Sequence, residues 1–154
     1  MIDSLNLFYD CAETAIGQNG GEILKFMGDG LLAILPTPDD QSAQKAAASG
    51  AISSLEDIRR QLLAASREDL QFRASLHLGD IHYGNIGSKS RLDFTAIGPS
   101  VNLAARLMAV TDELGRDFVG SDVFHHLVPQ RTGLLGARMF KGFEHPHKVY
   151  GITG

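Results

Sequence analysis

Four side chains in this sequence stand at spacings that suit phosphate and metal chemistry. Asn102 and Arg106 are four residues apart, so on a helix they share one face about 6 Å apart along the axis. Asn has low helix propensity, and an amide beside a guanidinium makes a donor pair suited to phosphate oxygens. An exposed polar stripe has the same spacing. Asp29 stands between Gly28 and Gly30, with Lys25 four residues ahead of it. A carboxylate at a glycine-flanked tip can serve as a ligand, and the same residues are also plain turn chemistry. A lysine on a strand can equally be a solvated, edge-protecting charge. Gly79, Gly84 and Gly87 follow one another closely, but no glycine run leads into Gly-Lys-Ser/Thr and no G-x-G-x-x-G occurs. They read as a flexible hairpin. His77, His82, His125, His126, His145 and His147 lack the H-E-x-x-H spacing, so histidine-bound metal is not expected.

These groups need rigid elements beneath them. Leu5, Phe8, Ala12, Ala15 and Ile16 recur every three or four residues, which predicts an amphipathic helix over 4–18 that Gly17 and Gly20-Gly21 end. Glu22–Met27 and Leu31–Leu35 are short, largely apolar runs flanking Gly28-Asp29-Gly30. Asp-Gly between such runs predicts a hairpin, because the tight turn needs positive φ. Ala43, Ala47, Ala51, Leu55, Ile58 and Leu62 share a face of a helix over 41–65, which the Glu56/Arg60 spacing supports. Residues 71–83 read as a strand, Gly84–Ser90 as a turn and Leu92–Ile97 as the partner strand. Gly98-Pro99 opens the helix of Asn102 and Arg106, which carries Val101, Ala104, Ala105, Leu107 and Met108 and fades by Gly115. A short strand at Phe118-Val119, a short helix capped by Ser121 and a final hairpin around Lys141-Gly142 complete the chain. The order α-ββ-α-ββ-α-β-α-ββ predicts an α+β fold, with helices packed on a mostly antiparallel sheet.

Composition narrows the function classes. The chain has 154 residues, 44% of them hydrophobic, which suits one globular domain with a real core. With 14 Lys+Arg against 18 Asp+Glu the formal net charge is −4, so no broad phosphate-coating surface and no nucleic-acid partner is expected. The single Cys11 excludes an internal disulfide and a cysteine metal site, and fits a reducing compartment. The longest apolar run, Leu31–Leu35, is far short of the ~20 residues that span a bilayer. The start, Met1-Ile2-Asp3-Ser4, lacks the basic and apolar regions of a signal peptide. Composition thus predicts a soluble, cytoplasmic, single-domain protein.

Taken in order, the segments resemble the catalytic domain of the class III nucleotidyl cyclases, the adenylate and guanylate cyclase family. Gly20 to Leu35 is similar to that family's substrate-and-metal hairpin. Leu76 to Gly79, followed by Gly84 to Gly87, resembles its central strand and turn. Arg91 to Gly98, with Val101 to Leu107, is similar to its transition-state helix and the strand before it. Phe140 to Glu144 with Val149-Tyr150 resembles its closing hairpin, so the likeness covers essentially the whole chain. It implies a ferredoxin-like class III cyclase fold in one catalytic domain over 1–154. It also implies conversion of ATP into 3′,5′-cyclic AMP and pyrophosphate, with Mg²⁺ or Mn²⁺ as cofactor, two per site.

The resemblance also implies a role for each residue. The ribose 3′ oxygen attacks the α-phosphorus in line, and pyrophosphate leaves. Asp29 is then one of two metal aspartates, since hard cations call for carboxylate ligands. Arg106 stabilises charge on the α-phosphate, and Asn102 positions the ribose from the same helical face. Lys141 contacts the terminal phosphates. Lys25 and Thr95 read the base. A donor-only lysine suits the acceptor N1 of adenine and mismatches the N1–H of guanine, and the Thr95 hydroxyl can accept from the 6-amino group. In the family, Lys with Asp or Thr accompanies ATP, and Glu with Cys accompanies GTP. A homodimer with two composite sites is expected, each taking Asp29 from one chain and Lys25, Thr95, Asn102 and Arg106 from the other. A regulatory or sensor domain is expected elsewhere in a longer polypeptide.

One departure lies at the N-terminus. The family begins with a strand bearing the first metal aspartate, and no residue here matches it, since Asp3 and Asp10 belong to the first helix by pattern. The N-terminal strand is therefore expected to be missing, with dimerisation weakened and activity low or absent for the chain as given. Gly98-Pro99-Ser100 stands where Gly-Asp-Ala is common, a tolerated variation. The alternative function is a catalytically deficient cyclase-homology module that binds nucleotide or dimerises for signalling. A diguanylate cyclase reading rests on Gly20-Gly21-Glu22. There Ile23-Leu24 replace the Glu-Phe of that motif, and the helix of Asn102 and Arg106 has no place.

Overall fold

The computed structural model describes residues 2–153, and the side chains of all of these except residues 2, 86 and 91–95. The chain runs α1 (Ile2–Gln18), β1 (Glu22–Met27), β2 (Gly30–Ile34), α2 (Gln41–Ala64), β3 (Ala74–Leu76), β4 (His82–Ser88) and β5 (Arg91–Ile97). It continues through α3 (Pro99–Leu114), β6 (Phe118–Ser121), α4 (Asp122–Leu127), a 3-10 turn, β7 (Thr132–Arg138) and β8 (His147–Ile152). These elements form two compact units. The first takes the chain up to Gln71 together with Tyr83–Thr95, and the second takes Phe72–His82 and Ala96–Thr153.

The first unit is built on the pairing of α1 with α2. Cys11, Ala12, Ala15 and Ile16 of α1 are buried, as are Ala48, Ala51, Ile52, Leu55, Ile58 and Leu62 of α2. The alanines allow the helices to approach closely while the branched residues fill the space between them. Asp40 caps α2 by accepting from the Ala43 N–H at 2.9 Å. Just past α1, Asn19 donates to the Ala15 carbonyl at 2.8 Å and to the Asp57 carboxylate at 3.1 Å, which ties the end of α1 to α2. β1 and β2 form an antiparallel hairpin in this unit, and β4 pairs with β5.

The second unit is a four-stranded sheet in the order β3-β6-β8-β7. β3 runs parallel to β6, and the β6–β8 and β8–β7 pairs are antiparallel. The mostly antiparallel α+β architecture expected from the element order is thus the one found. α3 packs on β3 and β6, burying Leu103, Leu107 and Val110 in a cluster with Val119, Phe140 and Val149. The Ser75 hydroxyl on β3 donates to the Ala104 carbonyl of α3 at 2.7 Å. Ser121 caps α4 by accepting from the Phe124 N–H, as its position before a short helix predicts. No helix among the described residues is long and apolar enough to cross a membrane.

Residues 71–88 differ from the sequence expectation. The strand expected over 71–83 is only Ala74–Leu76, and the expected turn over Gly84–Ser90 is mostly strand β4. Gly84 and Gly87 take φ of +142° and +137° inside that strand, an extended conformation that only glycine adopts readily. They therefore carry the strand on rather than turn it. β3 stops where His77 turns inward to Ser121, its Nδ1 lying 2.7 Å from the hydroxyl. Beyond it, Gly79 passes so close to Ser100 of α3 that an added Cβ would collide with that side chain.

Burial, and behind it the His147 imidazole, push His77 below its ordinary value of 6.5. A group lowered in this way binds fewer protons folded than unfolded. Its contribution to stability is complete above the unfolded value and is lost as pH falls toward the folded one. The urea midpoint should therefore fall from about pH 7.5 to about pH 5.5, and fall less in His77→Gln. Denaturant titrations of both proteins at the two pH values check this, and equal falls would remove His77 as a source of acid sensitivity.

Candidate functional site

The β1–β2 ladder pairs Glu22 with Ile34 and Ile23 with Ala33, then Lys25 with Leu32, Phe26 with Leu31 and Met27 with Gly30. Leu24 is the extra residue of a β-bulge. Because side chains alternate along each strand, the bulge puts Ile23 and Lys25 on opposite faces although they are two residues apart. Phe26 packs against Tyr9 of α1, the rings tilted with their centroids 4.5 Å apart. Lys25 therefore faces away from α1, and it is exposed.

Gly28 and Asp29 are the two central residues of the turn, with Gly30 already paired to Met27. Gly28, not Gly30, takes the positive φ, at +55°. The hairpin is as expected, but the conformational freedom is spent one position before the aspartate rather than after it, as in two-residue turns with glycine first. Asp29 is left exposed at the tip. The Tyr9 hydroxyl lies 2.9 Å from the Gly28 carbonyl and 3.2 Å from the Gly30 carbonyl, one on each side of Asp29. Spacing did not single out Tyr9. It continues the buried stripe of α1 three and seven residues before Ala12 and Ile16, and that stripe explains it without reference to its hydroxyl.

In the second unit, α3 starts at Pro99 after Gly98, whose φ is +134°, and the Asn102 N–H donates to the Gly98 carbonyl at 3.1 Å. Leu103, Leu107 and Val110 are buried, and Asn102 and Arg106 are both exposed along the flank of that stripe. Lys141 occupies a turn closed by the Phe143 N–H donating to the Phe140 carbonyl at 3.1 Å, with Gly142 at φ +90°. Phe140 is buried in the cluster with Leu103 and Leu107, and Phe143 packs against it. The turn is therefore nailed to the core of α3 on both sides of an exposed lysine.

Among the described residues, no side chain hydrogen-bonds or pairs with the side chains of Lys25, Asp29, Asn102, Arg106 or Lys141. By contrast, Arg60, Arg67, Arg73 and Arg138 pair with Asp57, Asp69, Asp112 and Glu113. The structure thus gathers Lys25 and Asp29 on one hairpin of the first unit, and Asn102, Arg106 and Lys141 in the second. The Thr95 side chain lies outside the described residues. Nor do the described residues hold a group of three His, Cys, Asp or Glu that could cage a metal ion. A single hard, exposed carboxylate fits an ion that arrives with a polyphosphate, which is how Mg²⁺ is commonly held, through one or two carboxylates and the phosphates themselves.

Residues 1–127 match the family model of the adenylate and guanylate cyclase catalytic domain. The chain belongs to that family. This cyclase domain is 27% identical over its full length to adenylate cyclase 1 of Rhizobium meliloti (strain 1021), of which it covers 24%. It is 31% identical over 72% of its length to the adenylate cyclase of Anabaena cylindrica, of which it covers 23%. The domain therefore spans about a quarter of these relatives. Among solved structures it is similar to a bacterial light-regulated adenylyl cyclase, with a TM-score of 0.77 and 24% identity over 98% of this chain and 44% of that one. The adenylyl cyclase CyaB from P. aeruginosa gives a TM-score of 0.74 at 23% identity, over 99% of this chain and 82% of that one. The guanylyl cyclase Cya2 gives 0.75 at 24%, over 99% and 80%. The fold is the class III cyclase fold.

Phe140→Ala should cost about 3–5 kcal/mol, because it removes a buried ring from the α3 cluster. Lys141→Ala on the same turn should change stability by less than about 0.5 kcal/mol. Urea denaturation of the two variants checks the contrast.

Proposed function

We propose that this chain is an adenylate cyclase catalytic domain, which converts ATP to 3′,5′-cyclic AMP and pyrophosphate at composite sites in a homodimer. The observation that carries this is a set of exposed polar groups without partners among the described residues, spaced as the cyclase resemblance requires. In cyclisation the 3′ oxygen forms a bond to the α-phosphorus while the bond to the bridging oxygen breaks. The hydroxyl proton leaves to solvent and pyrophosphate departs. Arg106 donates to the α-phosphate oxygens, where preorganised donors act most strongly as charge shifts in the transition state. Asn102, one turn away on the same exposed face, orients the ribose. Lys141 meets the terminal phosphates, held in place by Phe140 and Phe143.

Asp29 would hold the divalent cation. Mg²⁺ or Mn²⁺ bound there supplies a lowered pKa at the 3′ hydroxyl and neutralisation of the leaving phosphates. Two relatives bear the name adenylate cyclase, and Lys25 supports the same base. Its ammonium only donates, which suits adenine N1 and conflicts with guanine N1–H. In the homodimer, one subunit gives Asp29 and the other gives Lys25, Thr95, Asn102 and Arg106.

A second reading draws on the isolation of Asp29, beside which no three-ligand group stands among the described residues. It makes the domain a module that binds nucleotide without turnover. Nucleotide binding with no cyclic product at high Mn²⁺ would support the module, and ATP-specific turnover would exclude it.

Substrate choice should rest on Lys25 and Thr95. Replacing Lys25 by Glu together with Thr95 by Cys, in protein given an aspartate-bearing strand ahead of α1, should erode the preference for ATP over GTP. Unchanged discrimination in steady-state rates would refute the base assignment.

In the same background Arg106→Ala should lower turnover roughly 10²–10³-fold, far more than substrate affinity. Mixing it with inactive Asp29→Ala should restore activity, because one site of the heterodimer then carries both lesions and the other carries neither. Random pairing recovers at most about a quarter of wild type. Absent recovery in a demonstrated heterodimer would overturn the shared site.

A further inference from the structure

We propose that Tyr9 is the positioning residue of the Asp29 turn: its hydroxyl, seated between the Gly28 and Gly30 carbonyls, fixes the short segment that presents the carboxylate to its cation. The proposal rests on Asp29 being the metal aspartate of the function proposed above. The two acceptors straddle Asp29, at 2.9 Å and 3.2 Å from the hydroxyl oxygen. One hydroxyl proton is shared between them, so each carbonyl is drawn toward α1. The ring itself is held by its 4.5 Å contact with Phe26 and by Phe8, 5.9 Å away. The hydroxyl is therefore placed by a helix and a strand together.

Among the described residues, nothing else restrains the tip in this way. Gly28 has no atom within 4 Å of where a Cβ would stand, and its φ is +55°. Among the described residues, no other side chain hydrogen-bonds residues 27–30. This exposed two-residue turn is, among the described residues, otherwise tethered only at its base, by the strand ladder. A carboxylate there would order on metal binding only at an entropic cost. By engaging both carbonyls, Tyr9 meets that cost during folding, and it leaves the Asp29 carboxylate as the free oxygen donor of the turn.

Tyr9→Phe tests this with the ring contacts kept and the oxygen removed. Amide hydrogen exchange at Asp29–Leu31 should quicken about three- to tenfold while the amides of α2 are unchanged. Mn²⁺ affinity, read from the electron paramagnetic resonance of free Mn²⁺ in the presence of a non-hydrolysable ATP, should weaken by a similar factor at an unaltered melting temperature. Asp29→Asn should weaken Mn²⁺ binding further. Unchanged exchange in Tyr9→Phe overturns the proposal. So does unchanged Mn²⁺ affinity in Tyr9→Phe where Asp29→Asn is effective, as does a loss of melting temperature with exchange quickened throughout α1, the mark of a purely structural tyrosine. If Asp29→Asn leaves Mn²⁺ binding as it was, the metal role of Asp29 falls, and exchange at the turn alone then decides whether Tyr9 holds it.

Discussion

The apolar stripe of α3 has to be covered, and much of the site follows from that. Leu103, Leu107 and Val110 are almost wholly withdrawn from water. Leaving any of them exposed would forgo about 1.5–3 kcal/mol. On a helix of about 3.6 residues per turn, Arg106 and Asn102 lie along one flank of that stripe, so seating the stripe also sets where those two exposed side chains stand. The same cluster draws in Phe140, so the loop that carries Lys141 is set by the packing that orients the helix. Core and polar face are two sides of one event.

The charges divide along similar lines. The exposed ion pairs of Arg60, Arg67 and Arg73 add little to stability, because water screens them. Arg106 and Lys141 keep their full donor capacity, hydrated at little cost while no ligand is near.

Where one local signal decided the outcome, the fold was legible in the sequence. The alanine and leucine spacing of α2, Pro99 after Gly98, Gly115 in the left-handed conformation past α3, and Ser121 as a cap all lie where pattern puts them. What escaped is decided by tertiary contacts or by a single residue's φ. β3 ends where His77 and Ser121, a serine 44 positions away, share a hydrogen bond. The glycines of β4 punctuate in composition but extend in conformation. Asn102 and Arg106 were legible as a pair, because helix geometry fixes a shared face at a four-residue spacing. Tyr9 was not, because an aromatic on an amphipathic helix is explained by its ring, and nothing in the sequence points its hydroxyl at a turn 19 to 21 residues on.

The bulge at Leu24 bears on how this chain may be compared with its relatives. Insertions and deletions are usually placed in loops, where the backbone tolerates them. Here one supernumerary residue sits within β1, and everything before it is out of phase with everything after it. A homologue with an unbroken ladder can be matched to this chain on either side of Leu24 but not through it without a gap in mid-strand. Aligned without that gap, Glu22 and Ile23 would be assigned to the wrong faces of the hairpin, while Lys25 and Asp29 would stay in phase.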